Sequence, residues 1–246
     1  LIEENKIRFY NEDARNYQKM SNIFDEISPD IIIHLAAVSH ASESNKDPHT
    51  TFDNSLRTLE ISLDYVRKKK SHLIYLSSSM VYGNFEKPEV NESDNCLPLN
   101  VYGTIKLIGE QLIKSYKDNF EFSYTIVRPS ALYGERCVSR RVGQIFIENA
   151  LSSYPITING NPKERLDFTY IEDFVHGIVL CCENNNSLNE TFNITFGKSR
   201  SLDDLTKILK NEFPKVQINY SNRDKIMPIR GTLNINKAKK MLDYQP

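Results

Sequence analysis

Three short apolar runs, DIIIHLAA (30–37), SHLIYLSSS (71–79) and FSYTIVRPS (122–130), punctuate the first half of the chain. Such continuous runs suit strands buried on both faces, as in a sheet covered by helices on each side. The stretches around them, YQKMSNIFDEI (17–27), residues 49–70 and NVYGTIKLIGEQLIKSY (100–116), have helical spacing, and KIRFY (6–10) is strand-like. Strands alternating with helices predict an α/β fold with a doubly wound parallel sheet. Pro129 ends the third run, because proline lacks the amide a strand ladder needs.

Beyond Pro129 the pattern loosens into short segments: YPITI (154–158), DFTYI (167–171), ETFNI (190–194) and VQINY (216–220), with helices near 172–183 and 201–211. This predicts a main part over 1–129 and a smaller, less regular lobe over 130–246. Segments near 167–194 are expected to return to the main sheet.

Composition narrows the function. Hydrophobic residues at 39%, charged residues at 26% and a formal net charge of −1 describe an ordinary soluble protein. Neither nucleic-acid binding nor membrane-surface binding gains support from that balance. No apolar run approaches the roughly 18 residues that span a bilayer, and LIEENKIRFY lacks the pattern of a signal peptide. Cysteines at 96, 137, 181 and 182 form no CxxC pair. They suit free thiols in a reducing cytoplasm, with no disulfide framework and no metal site.

Ligands of such sheets bind at the carboxyl ends of the strands. Three segments lie there: HLAAVSH, SSSMVYG and RPSALYG. On the following helix, Tyr102 and Lys106 stand four residues apart and share a face. A tyrosine needs about three pH units of help, roughly 4 kcal/mol, to act as a base near neutrality. A neighbouring ammonium supplies part of that. Alone, so short a pattern is usually a solvated surface pair. Ser78, at the end of a strand, offers a hydroxyl that could share the proton, or it simply caps a turn.

HLAA, SSSMVYG, the YGTIK pair, VRPSALYG, LDFTYIEDF and KAKKMLDYQP occur in the order seen in extended short-chain dehydrogenase/reductases. The chain most resembles their NAD-dependent epimerase/dehydratase branch, and within it the UDP-glucose 4-epimerase-like enzymes. The resemblance implies a Rossmann-like NAD-binding part over 1–129 and a mainly substrate-binding lobe over 130–246. It makes Tyr102 the catalytic base, Lys106 its tuner and ribose contact, and Ser78 the partner in proton transfer. It gives the cofactor Asp13, Ala14, Leu35, Ala36, Ala37, Ser39, Asn54, Ser77, Pro129 and Ser130. On the substrate side it places Ser79, Met80 and Ala131, with Arg165, Arg223 and Arg230 as candidates for the diphosphate and Arg140 and Arg141 behind them. His34 is expected in the core.

The chain departs from the family at several positions. None of its nine glycines forms the GxxGxxG loop that holds a pyrophosphate, so the expectation is an N-terminally incomplete sheet, in a fragment or a chain lacking its first βαβ unit. Ser79 and Met80 replace the Asp-Glu of the family's dehydratases, which disfavours elimination. Ala131 stands where an asparagine is usual, and Leu166 where an arginine is. The resemblance thus implies an NAD-dependent nucleotide-sugar 4-epimerase, dimeric through a four-helix bundle of the 49–70 and 100–116 helices. A nucleotide-sugar or carbonyl reductase of the same superfamily, and an inactive remnant with a binding role, are the alternatives.

Overall fold

The computed structural model describes residues 7–137, 140–225 and 227–246. Its first part runs α1 (Tyr17–Ile27), β1 (Ile31–His34), α2 (Ala41–Lys46), α3 (Pro48–Phe52), α4 (Thr58–Lys69), β2 (His72–Leu76), β3 (Glu89–Val90), α5 (Val101–Asn119) and β4 (Ser123–Arg128). The rest runs β5 (Leu132–Tyr133), α6 (Val142–Leu151), β6 (Ile156–Asn159), β7 (Arg165–Leu166), β8 (Thr169–Tyr170), α7 (Ile171–Glu183), β9 (Glu190–Asn193), β10 (Arg200–Ser201), α8 (Leu202–Glu212), β11 (Ile218–Ser221), β12 (Thr232–Leu233) and α9 (Asn236–Leu242).

A four-stranded parallel sheet in the order β1-β2-β4-β9 forms the centre. The register aligns Ile33 with Ile74, Ile74 with Thr125, and Val127 with Phe192. Alternate side chains of β2 serve two cores, which is why its sequence is apolar from Leu73 to Leu76. Leu73 and Tyr75 pack with Leu59, Leu63, Val66 and Ile113 on the α4/α5 face. Ile74 and Leu76 pack with Phe174, Phe192 and Tyr244 on the other. Each such side chain, fully buried, contributes about 1.5–3 kcal/mol. A third cluster, with Phe146, Ile156, Ile158, Leu166, Leu209 and Val216, lies entirely beyond residue 130.

Caps set the helix starts. Asn100 accepts a hydrogen bond from the Gly103 amide at 2.8 Å, beginning α5 two residues before Tyr102. Ser201 and Asp204 form a reciprocal capping box on α8.

Three expectations are corrected. Residues 7–10 of KIRFY form no strand, since no described segment pairs with them; Lys6 lies outside the described residues. The DIIIHLAA strand is buried on one face only, with Ile33 42% exposed on the sheet's outermost strand. The helix over 49–70 is interrupted by a π-helical turn, Asp53–Arg57. There the Thr58 hydroxyl donates to the carbonyls of Ala36 and Asn54, both at 2.9 Å. The Val38 amide donates to Ser55 Oγ at 3.2 Å. Short hydroxyl side chains compete for helix backbone groups, and here they tie the turn to the loop that follows β1.

Candidate active site

At the carboxyl end of β2 the chain leaves the sheet through Ser77, Ser78 and Ser79. The Ser77 amide donates to the Val127 carbonyl at 2.8 Å and the Ser79 amide to the Pro129 carbonyl at 2.9 Å. A 3₁₀ turn, Ser79–Tyr82, follows, capped by Ser78 Oγ accepting from the Met80 amide at 3.1 Å. Helix α5 crosses this turn closely. A Cβ on Gly103 would stand 2.7 Å from the Met80 carbonyl oxygen, and one on Gly109 would stand 2.3 Å from the Tyr75 hydroxyl. Only glycine permits that approach, and it brings Tyr102 to the serine turn, where Ser78 works to lower the phenol's pKa.

Lys106 is buried and donates from Nζ to the Leu76 carbonyl at 2.6 Å. Its ammonium lies 5.1 Å from the Tyr75 ring centre and 6.0 Å from that of Tyr102. Burial drives its pKa down to about 8, with Glu110 pulling it up. The Tyr102 phenol is pushed above its ordinary value by burial, while the Ser78 hydrogen bond and the Arg141 charge work the other way. The expected lowering of Tyr102 by Lys106 is thus not found in this state; the cation that draws its pKa down is Arg141.

The other candidates separate. Asp13, Ala14, Ala36, Ala37, Val38, Asn54 and Thr58 line one cleft of about 240 Å³, with Arg15. Asp13 is paired with Arg15 at 2.6 Å, which holds its carboxyl down at about 2. Leu35 and Ser39 are exposed beside it. Ser130 is buried and its Oγ lacks a partner. Ser79 and Met80 are buried under α5. Ser77, expected to meet the cofactor, instead donates its hydroxyl to buried Glu110. Ala131 has φ +34°, a left-handed backbone that asparagine adopts more readily than alanine.

The arginines also sort themselves. Arg165 is engaged by Ser199 and Arg140 by Glu148 at the surface. Leu166, where an arginine was expected, packs in the third core. Arg223 bonds Glu164 at 2.8 Å and the Met227 carbonyl at 2.7 Å. Arg230 differs: its Nε is buried without a partner. Burial and the charges of Arg141 and Arg223 drive its pKa down to about 10, against the pull of Glu164. Arg141 reaches back to donate to the Ser39 carbonyl at 2.7 Å. Guanidinium groups held together in this way suit a multiply charged anion.

Glu110 was not among the sequence candidates and Arg141 stood behind the other arginines, yet Glu110 acts on the charge of Lys106 and Arg141 on that of Tyr102. Glu110 could have been found from its spacing, since it continues the Tyr102–Lys106 face by one more turn. The placement of Arg141 depends on a fold contact 102 residues away in sequence and left no local signal. His34 is buried as expected, bonded to Ser62 at 3.2 Å, with burial holding its pKa down at about 4. A larger cleft, of about 610 Å³, lies at the amino ends of β4 and β9 around Lys114, Tyr124, Glu190 and Lys237, away from this chemistry. Among the described residues no cluster of metal-ligating side chains occurs and no helix is long and apolar enough to cross a membrane.

A tyrosine, a serine and a lysine converging at the carboxyl edge of a parallel sheet define a site of the short-chain dehydrogenase/reductase class. The chain belongs to the NAD dependent epimerase/dehydratase family, whose sequence model matches residues 2–195; it is an enzyme of that family, and NAD is the cofactor. It is 30% identical over 220 residues to an uncharacterized UDP-glucose epimerase, YtcB, of Bacillus subtilis, with 88% of this chain and 69% of that protein covered. It is 28% identical to the UDP-glucuronate 4-epimerase of Thermodesulfobacterium geofontis, with 100% of this chain and 76% of that protein covered. In structure it superposes on UDP-glucuronic acid 4-epimerase from Bacillus cereus, solved with UDP-glucuronic acid and NAD, with a TM-score of 0.91 and 29% identity. That match covers 100% of this chain and 79% of the other. UDP-glucose 4-epimerase of Thermotoga maritima, solved with UDP-glucose, gives 0.90 and 26%, covering 97% of this chain and 79% of that one.

The residues present fit one end of the dinucleotide and its nicotinamide. The 240 Å³ cleft is smaller than the roughly 300–1,000 Å³ of pockets that enclose a whole ligand, and its small side chains beside an aspartate suit an adenosine. The unpartnered Ser130 hydroxyl, at the end of β4, suits a polar group of the other end.

Proposed function

We propose that the chain is a nucleotide-sugar 4-epimerase of the UDP-glucose or UDP-glucuronate type, working in the cytoplasm. The observation that carries this reading is the placement of Tyr102 at the serine turn, its ring centre 6.0 Å from the buried Lys106 ammonium, with Ser78 and Arg141 drawing its pKa down and the Arg230 Nε buried without a partner. It sets a proton acceptor next to cations suited to a diphosphate.

Asp13, Ala14, Leu35, Ala36, Ala37, Ser39 and Asn54 would hold the adenosine half of NAD, and Lys106, Pro129 and Ser130 the nicotinamide half. When bound, the cofactor supplies a reversible acceptor for the hydride on C4 of the sugar. Tyr102, as phenolate, accepts the proton of the 4-hydroxyl, and Ser78 holds that oxygen in line. Lys106 and Arg141 are the chain's own cations toward the phenol, and a cationic ring held by Pro129 and Ser130 would add to the lowering that the bare phenol lacks. Arg230, with Arg141 and Arg223, grips the diphosphate, so binding energy holds the nucleotide while the 4-keto sugar turns its other face. Tyr102 then returns the proton. Ser79 and Met80 provide no acid–base pair for elimination.

Residues 1–129 form the cofactor part in this reading and 130–246 mainly the substrate lobe, with segments near 167–194 returning to the main sheet. The cluster built wholly beyond residue 130 supports that division. The chain pairs through its 49–70 and 100–116 helices, a reading that Ile108, 44% exposed on α5, supports; a monomer by light scattering rejects it. The function itself is tested by incubating the chain with NAD⁺ and either UDP-glucose or UDP-glucuronate and resolving products by NMR. The 4-epimer without accumulating NADH is expected. A 4-keto-6-deoxy sugar, or consumption of added NAD(P)H, would replace this reading with a dehydratase or a reductase.

A further inference from the structure

Helix α5 presents Tyr102, Lys106 and Glu110 on one face at successive turns. The third of these has no part in the chemistry above, yet it is fully buried. Arg128, at the end of β4, grips it with two hydrogen bonds, Nε to Oε1 at 3.0 Å and Nη2 to Oε2 at 2.6 Å. Ser77 donates its hydroxyl to the same carboxylate. Arg128 also donates to the Tyr82 hydroxyl at 2.9 Å, and Tyr82 donates to Asn193 Oδ1 at 2.8 Å. This network joins the serine turn, α5, β4 and β9 directly beneath the candidate site.

A carboxylate does not stay ionised in a dry interior without partners. The two-pronged Arg128 contact supplies them and leaves Lys106, one turn away, facing a negative charge. Three buried charges, two positive and one negative, thus become neutral in sum when Tyr102 ionises. We propose that Glu110, clamped by Arg128, is a positioning residue that keeps Lys106 an ammonium beneath Tyr102 and, through Ser77, fixes the Ser77–Ser78 bend at which Tyr102 sits. This rests on the reading of Tyr102 and Lys106 given above. It assigns to Arg128, in VRPSALYG, the task of holding Glu110 charged.

The groups facing Lys106 are few. From α5 come Tyr102 and Glu110, from β2 the Tyr75 ring and the Leu76 carbonyl, and from β1 His34, whose own titration Lys106 pushes down. His34 and Tyr75 are neutral near pH 7, so Glu110 is the single anion in this set.

The test is the titration of Lys106 in the full chain, read by NMR of its ¹³Cε resonance without cofactor or substrate, in wild type, Glu110→Gln and Glu110→Asp. Glu110→Gln is expected to move the Lys106 midpoint down by about one pH unit, and Glu110→Asp to leave it within a few tenths, because charge governs the effect and not shape. If Glu110→Gln does not fold, the E110Q/R128M double variant replaces it, with a downward shift smaller than the single variant's because the Arg128 charge is lost as well. Equal midpoints in wild type and the uncharged variant overturn the proposal and leave Glu110 a packing group. Because the readout needs no turnover, that result is distinguishable from failure of the epimerase reading.

Discussion

Gly103 meets the Met80 carbonyl so closely that a Cβ would stand 2.7 Å away, and the same contact delivers Tyr102 to Ser78. Gly103→Ala therefore forces α5 off the serine turn. Alanine gains up to about 1 kcal/mol in helix propensity, but overpacking against backbone costs about 1–3 kcal/mol. The expected outcome is a net loss of stability in urea denaturation, together with weaker turnover than that loss explains.

Arg230 carries a buried Nε without a partner, an arrangement that disfavours the folded chain and favours an anion. Arg230→Leu is expected to raise the melting temperature while raising KM for the nucleotide sugar about 10–100-fold, the loss of one charge-assisted contact of about 1.5–3 kcal/mol. Thermal denaturation and initial-rate kinetics on the same preparation check both halves.

His34 binds protons less readily when folded than when unfolded, since burial holds it at about 4 against its ordinary 6.5. The unfolded chain takes up the proton first, so stability from this residue is full above pH 6.5 and is lost as pH falls toward 4. Its full size is on the order of 3 kcal/mol. Asp167, raised to about 6 by burial, favours the folded chain as pH falls toward 3.8 and so works in the opposite direction. The check is therefore a signed difference: wild-type stability minus that of His34→Leu, from denaturation at several pH values, falls from pH 7 to pH 4.

The central sheet was legible because β2 and β4 are apolar on both faces, and their runs announce it. β1 shares that pattern but sits at the outside of the described sheet, and a single run cannot say whether a neighbour covers it. The 49–70 helix misled because its apolar period continues through the π-helical turn; the turn comes from Thr58 and Ser55 bonding the distant 36–38 loop. Tyr102, Lys106 and Ser78 could be named from order and spacing. The turn of Ser77 toward Glu110 was not legible, since the direction of each hydroxyl is decided by strand alternation at the exit of β2. Which arginines are tied up could not be read, for their partners Glu148, Ser199 and Glu164 are set by the fold.

The claim that most needs testing is that the Tyr102 oxygen moves the proton while C4 keeps its hydride within the site. The most direct measurement uses nucleotide sugar deuterated at C4, with wild type and Tyr102→Phe compared by NMR. The account predicts that wild type yields the epimer with deuterium retained at C4 and no accumulating NADH. It predicts that Tyr102→Phe, equally folded by circular dichroism, is slower by about 10²–10⁴-fold. Deuterium lost to solvent, or a Tyr102→Phe variant as fast as wild type, would contradict it.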